Sequence, residues 1–154
     1  MSTRNLLAVL AFLVLPACAA DIPDLGGVWK LNVERSTWGR MAKPVSVILE
    51  INHNQLSLSY SGLVTYANEE SREFGFAGAI DGNEYPMVRS FGSGKCLFRR
   101  ISLTTVESVF HSDDGLYTET SRMVVSRDGR TMTRYMYLKS PEGDRNWTEV
   151  YERH

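Results

Sequence analysis

Short segments in which apolar and polar residues alternate recur along most of the chain, and this pattern constrains the fold more than any other feature. Between Leu56 and Ser61, the apolar residues Leu56, Leu58 and Tyr60 alternate with serines. A period of two residues is typical of a β-strand with one buried and one solvated face. Asp-Gly pairs, a strong hairpin signal, punctuate the later segments. The spacing therefore predicts a series of antiparallel hairpins.

The pattern predicts eight or nine strands and no long helix, since no segment shows a sustained apolar period of 3.6 residues. The expected strands cover residues 26–33, 45–51, 56–61, 71–80, 95–103, 106–111, 116–126, 131–139 and 146–152. Many short strands joined by turns favour an antiparallel barrel or sandwich. Closure into a barrel is preferred because few prolines protect the strand edges. The predicted fold is all-β, a single antiparallel up-and-down β-barrel.

The first twenty residues have the organisation of an export signal. Arg4 is followed by ten apolar residues at 6–15. Ten helical residues rise only about 15 Å, half of a bilayer core of roughly 30 Å. Pro16 and the small residues at 17–20 then fit a cleavage site. We expect a signal peptide over residues 1–20, a single domain over residues 21–154, and a periplasmic or secreted protein.

Cys18 indicates an alternative to a periplasmic or secreted protein without a membrane anchor. Residues 15–18, Leu-Pro-Ala-Cys, resemble a bacterial lipobox, in which the cysteine is lipidated. Pro16 departs from the small or β-branched residue that is usual two positions before this cysteine. The alternative is a membrane-anchored lipoprotein whose contact with the membrane is a lipid on Cys18.

Composition excludes several classes of function. Removing the first 20 of 154 residues leaves 134, with 16 Lys and Arg against 18 Asp and Glu. This balance, without a basic run, does not indicate nucleic-acid binding. Cys96 is then the one cysteine left, so neither a disulfide framework nor a cysteine-based zinc site is expected. We expect a monomer without a cofactor.

Four stretches carry a resemblance to a known group. They are GVWKLN at 27–32 followed by Ser36, IDGNEYP at 80–86, CLFRRI at 96–101 and VVSRDGRTMT at 124–133. In this order they resemble small exported bacterial lipocalin-like proteins, which are calycin-type β-barrels. The resemblance implies that Trp29 packs at the closed floor of the barrel. It also implies an arginine stacked on that tryptophan, for which Arg134 and Arg153 are the candidates.

No familiar catalytic motif accompanies this pattern. G-x-S-x-G, H-E-x-x-H and C-x-x-C are all absent from the sequence. His111 with Asp113 and Asp114 forms one local cluster, which is better explained by a hairpin turn than by a metal site. An enzyme would need two titratable groups facing each other in a pocket, and no spacing indicates such a pair. We expect neither an enzyme nor a metal site.

The aromatic and sulfur-bearing residues of the strands lead to the functional prediction. The candidate ligand-binding residues are Tyr60, Phe76, Phe98, Phe110, Met132 and Met136. They could line a cavity of roughly several hundred cubic ångströms, open at the end away from Trp29. The prediction is a barrel that binds a small apolar molecule in the bacterial cell envelope. The alternative is that these side chains fill the barrel, which then acts as a structural or interaction module.

Overall fold

Ten antiparallel strands form a closed barrel in a computed structural model that describes residues 24–154. The strands are β1 Gly27–Leu31, β2 Ser46–His53, β3 Ser57–Thr65, β4 Ser71–Ala79, β5 Glu84–Arg89, β6 Gly94–Arg100, β7 Thr105–Ser112, β8 Thr118–Val125, β9 Thr131–Lys139 and β10 Arg145–Arg153. Each strand pairs with its sequence neighbours, and β1 also pairs with β10. The structure confirms the predicted all-β up-and-down barrel.

The part of the chain described by the structure contains no helix that is long and apolar enough to cross a membrane. The expected signal peptide over residues 1–20, with Cys18, lies outside the described residues.

Strand β5 is the strand that the sequence prediction left out. Its outward-facing Pro86 has no amide hydrogen to donate, which argues against a strand. The structure accommodates this residue because β5 pairs with β4 over only three positions, from Met87 to Arg89. Pro86 lies just beyond the last of these pairs. The barrel therefore has ten strands, one more than the upper prediction.

The two ends of the barrel differ in how they are closed. We call one end the floor: it carries the chain before β1 and the short connections after β2, β4, β6 and β8. The other end, the mouth, carries the remaining connections, of which the longest covers residues 32–45. That segment first runs beside β10, where Thr37 pairs with Thr148. It then reaches the mouth, and Arg40 Nη2 donates a hydrogen bond to the Asp144 carbonyl (2.8 Å).

Two hairpins use the same Ser-x-Asp-Gly turn at opposite ends of the barrel. In the turn at residues 126–129, the Ser126 hydroxyl donates to Asp128 and the Gly129 amide donates to the Ser126 carbonyl. Gly129 has φ of 70°, a conformation that favours glycine. Residues 112–115 repeat this geometry, with Asp114 in the place of Asp128. These are the turns that the Asp-Gly pairs predicted.

Candidate functional site

The half of the barrel nearest the floor is filled by side chains. Trp29, Phe98 and Met132 have at most 1% of their surface exposed. Phe98 packs against Phe76, with ring centroids 4.7 Å apart. The space left there is about 20 Å³, room for about one water molecule.

A cavity of about 140 Å³ lies in the half nearest the mouth. Inward-facing positions of β2–β5 and β8–β10 form its wall, and the mouth segments cover it. The lining residues include Tyr60, Val64, Arg72, Phe74, Met87, Arg89, Glu119, Arg134, Met136, Trp147, Glu149 and Tyr151 from strands, and Trp38, Met41, Pro44, Tyr66 and Phe91 from mouth segments. A cavity of about 150 Å³ holds one benzene ring, so the space suits a small molecule.

A glycine shapes one wall of this cavity. Gly62 faces inward on β3, opposite Phe74 of β4. A Cβ atom at Gly62 would lie 2.2 Å from Phe74 Cζ, so the phenyl ring occupies the place of a side chain. The ring also meets Tyr60 edge-on, with centroids 5.9 Å apart. The missing side chain of Gly62 therefore sets the position of an aromatic wall.

Glu149 is the centre of a buried polar network between the cavity and the filled half. Its carboxylate accepts hydrogen bonds from Trp147 Nε1 (2.8 Å), the Tyr151 hydroxyl (2.8 Å) and Arg134 Nη1 (3.2 Å). Arg134 Nε also donates to the Ser121 hydroxyl (3.2 Å). Burial is the largest single influence on the Arg134 guanidinium and lowers its pKa, but the nearby acidic groups, of which Glu149 acts most strongly, together outweigh it and raise the pKa. The Arg134 guanidinium therefore stays charged inside the barrel.

Arg89 is the second largely buried guanidinium on the wall. It lies between two rings, 4.2 Å from the Phe91 centroid and 4.3 Å from the Phe110 centroid. Its Nη2 atom is 3.7 Å from Glu119 Oε2, an ion pair longer than a hydrogen bond. Its Nε atom is shielded from solvent and has no hydrogen-bond partner among the described residues. Arg89 is thus held in place by aromatic rings more than by polar partners.

Trp38 carries the other unpartnered donor of the cavity wall. Its Nε1 atom is shielded from solvent and has no partner within residues 24–154. Two further unpartnered atoms of the described chain, His53 Nε2 and Arg153 Nε, do not line this cavity. The cavity wall therefore carries two buried N–H groups that the protein itself leaves unbonded.

The six candidate ligand-binding residues from the sequence all face the barrel interior, but the structure separates them. Tyr60 and Met136 line the cavity. Phe76, Phe98, Phe110 and Met132 are buried in the core and are not part of the cavity lining.

Sequence reasoning did not place charged residues on the cavity wall, and it named Arg134 only as a candidate to stack on Trp29, although a signal was present. Arg134 lies between Met132 and Met136, and Glu149 lies between Trp147 and Tyr151, in phase with inward-facing residues. A charge in phase with a buried face must point into the barrel. Trp38 belongs to the long mouth connection, which has no period from which a direction could be predicted.

Trp29 lies near the floor, away from the cavity lining. Its surface is fully buried, and its Nε1 donates to the Leu25 carbonyl (2.8 Å). Of the two arginines considered for stacking, the structure places Arg153 over the ring, 4.5 Å from the centroid. Arg134 instead binds Glu149.

His111 and Asp114, from the local cluster considered in the sequence, have partners within the protein. The His111 ring lies 2.8 Å from Glu84 Oε1, and Asp114 bonds within its turn. Burial raises the pKa of the Cys96 thiol to about 12, so it is a poor nucleophile. Within residues 24–154 no three His, Cys, Asp or Glu residues are grouped as metal ligands would be.

Comparison with known proteins gave no further assignment: no family model and no curated protein matches this sequence.

Proposed function

We propose that this chain is a lipocalin-like protein of the bacterial cell envelope that binds a small, mainly apolar molecule in the cavity at the barrel mouth. The observation that carries the proposal is the division of the interior, which is filled near the floor and hollow near the mouth. The hollow half is lined by aromatic, methionine and valine side chains with a few convergent polar groups, which is typical of ligand sites.

The size of the cavity narrows the ligand class. At about 140 Å³ it is smaller than the several hundred cubic ångströms that the sequence led us to expect. A steroid or a long acyl chain exceeds this space. A single ring or a short branched chain fits it, as a cavity of about 150 Å³ accepts benzene.

The envelope location rests on residues 1–20, with their charged start, short apolar run and small residues. The mass of the mature N-terminus tests it. A start at Ala20 or Asp21 supports a soluble exported protein, and a diacylglyceryl group on Cys18 supports the lipoprotein alternative. An unprocessed Met1 would contradict both.

Calorimetric titration with toluene, benzyl alcohol and benzoate tests ligand binding directly. We expect saturable binding of one molecule per barrel. Val64→Phe adds a ring at the cavity wall and should abolish binding. Val124→Phe is the matched control, because Val124 faces outward on β8 and does not line the cavity.

The same titration separates the proposal from the alternative of a ligand-free interaction module. Absence of binding by all three probes, together with a ligand-free protein in native mass spectrometry after purification from its host, would contradict a carrier role. That result would favour a barrel that acts through its outer surface.

A further inference from the structure

The polar groups of the cavity wall divide into those that the protein pairs and those that it leaves unpaired. Glu149 is saturated by Trp147, Tyr151 and Arg134. Arg72 Nε donates to Glu70 Oε1 at 2.8 Å. These groups have partners within the protein and do not require a ligand.

The fully buried polar atoms of the wall that have no partner among the described residues are both donors. Arg89 Nε and Trp38 Nε1 are N–H groups that cannot accept a hydrogen bond. The Tyr60 hydroxyl donates only to the Met87 thioether, at 3.9 Å, and sulfur is a weak acceptor. Desolvation raises the pKa of the Tyr60 hydroxyl, so it keeps its proton. A buried donor without a partner costs free energy, which a ligand with an acceptor atom would recover.

Among the arginines of the wall, Arg89 is the one whose carboxylate partner lies beyond hydrogen-bond distance. Three arginines and two glutamates line the cavity, at positions 72, 89, 134, 119 and 149. Arg134 has a hydrogen-bonded counter-charge in Glu149, whereas the Glu119 carboxylate stands 3.7 Å from Arg89. A carboxylate on a ligand would form the charge-assisted hydrogen bonds that Arg89 lacks, and such bonds are about twice as strong as neutral ones.

We infer that the ligand is a small organic carboxylate, a single ring or short branched chain whose carboxylate accepts hydrogen bonds from Arg89 and Trp38. This inference rests on the proposed function, because it concerns the same cavity. The apolar part of the ligand contacts Met87, Met136 and Phe74, and the carboxylate lies towards Arg89.

The test compares four probes with one ring each and different polar groups: toluene, benzyl alcohol, benzylamine and benzoate. We expect benzoate to bind about tenfold or more tightly than toluene, since a hydrogen bond to a charged group is worth about that factor. Benzylamine should bind more weakly than benzoate, because an ammonium group cannot accept hydrogen bonds from Arg89 and Trp38.

Two variants locate the carboxylate. Arg89→Gln should weaken benzoate binding about tenfold or more and leave toluene binding within a factor of about two. Trp38→Phe keeps an aromatic ring and removes the unpaired N–H, so benzoate binding should weaken about threefold or more. Trp38→Phe keeps the test decisive even if Arg89→Gln does not fold. Arg122→Gln is the control, because it removes the same charge from the outer face, where Arg122 binds Glu107.

The outcomes separate this inference from the proposed function. Benzoate binding that falls in Arg89→Gln and Trp38→Phe but not in Arg122→Gln supports the carboxylate assignment. If toluene binds and benzoate binds no more tightly, or if both variants bind benzoate normally, the assignment is overturned while the ligand-binding proposal stands. If no probe binds and the protein from its host is empty, both are overturned.

Discussion

The ion pair inside the barrel gives the sharpest prediction for stability. Arg134 and Glu149 have 13% and 11% of their side-chain surfaces exposed, and Nη1 lies 3.2 Å from Oε2. Glu149→Leu would leave the guanidinium without its counter-charge and the Trp147 and Tyr151 donors without their acceptor. Breaking one partner of a buried pair costs about 3–5 kcal/mol. Arg134→Met should cost about 3 kcal/mol, at the lower end of that range, because two donors still stabilise Glu149.

The double variant distinguishes a coupled pair from two independent residues. With both charges removed, the penalty for an unpaired buried charge disappears. We therefore expect the double variant to be more stable than the sum of the single changes predicts, by about 2–3 kcal/mol. Urea unfolding, followed by far-ultraviolet circular dichroism, measures all four free energies of unfolding.

If Glu149→Leu does not fold, the milder change Glu149→Gln takes its place in the comparison of single and double variants. Additivity of the single changes within about 0.5 kcal/mol would refute the coupling. So would a cost below about 1 kcal/mol for Glu149→Leu, since an exposed pair would give that value.

Three further predictions address other parts of the barrel. Gly62→Ala should lower the free energy of unfolding by about 1–3 kcal/mol in urea titration, because its Cβ would collide with the Phe74 ring; an unchanged stability would contradict the role of this glycine. Trp29→Phe removes the hydrogen bond to a buried carbonyl and should cost about 1–3 kcal/mol by the same assay, whereas no loss would contradict a role in closing the floor. Glu107→Gln removes the charge that pairs with Arg99 and Arg122, and it should lower the free energy of unfolding by about 1 kcal/mol at pH 7 in thermal unfolding. A difference from the unmodified protein that persists at pH 2 would contradict an origin in these ion pairs.

The way in which the effect of Glu107→Gln depends on pH follows from the surroundings of Glu107 on the outer face. Burial alone would favour its protonated form, but hydrogen bonds from Arg99 and Arg122 outweigh this and lower the pKa of the carboxyl group. A lowered pKa in the folded state adds stability above the ordinary carboxyl pKa, about 4.3 for glutamate. That stability is lost as the pH falls through the lowered value. The difference between Glu107→Gln and the unmodified protein should therefore shrink in acid.

The strands could be predicted from sequence because a closed barrel with one solvated face imposes a period of two on almost every strand. The segment at 131–139 was predicted with the bounds of β9. Strand β5 was missed because Pro86 signals the end of a strand, and only the short ladder with β4 shows why a proline is tolerated there. A short-range pattern does not reveal where a neighbouring strand ends.

The candidate site was less accessible to prediction. The phase of Arg134 and Glu149 places both inside the barrel, but their pairing depends on the register between β9 and β10, where the two residues stand opposite each other. The cavity depends on packing: Phe74 fits against Gly62, and Trp38 reaches the mouth from a long connection. None of these contacts has a signature in the spacing of residues.

The three tryptophans provide the most direct test of ligand binding in the mouth half. Trp38 and Trp147 line the cavity, and Trp29 does not. Each indole N–H gives one signal in a ¹⁵N–¹H correlation spectrum, assigned with single Trp→Phe variants. On titration with toluene or with benzoate, we expect saturable shifts of the Trp38 and Trp147 signals and an unchanged Trp29 signal. Spectra without shifts for both probes, or spectra in which only Trp29 responds, would contradict ligand binding in the mouth half.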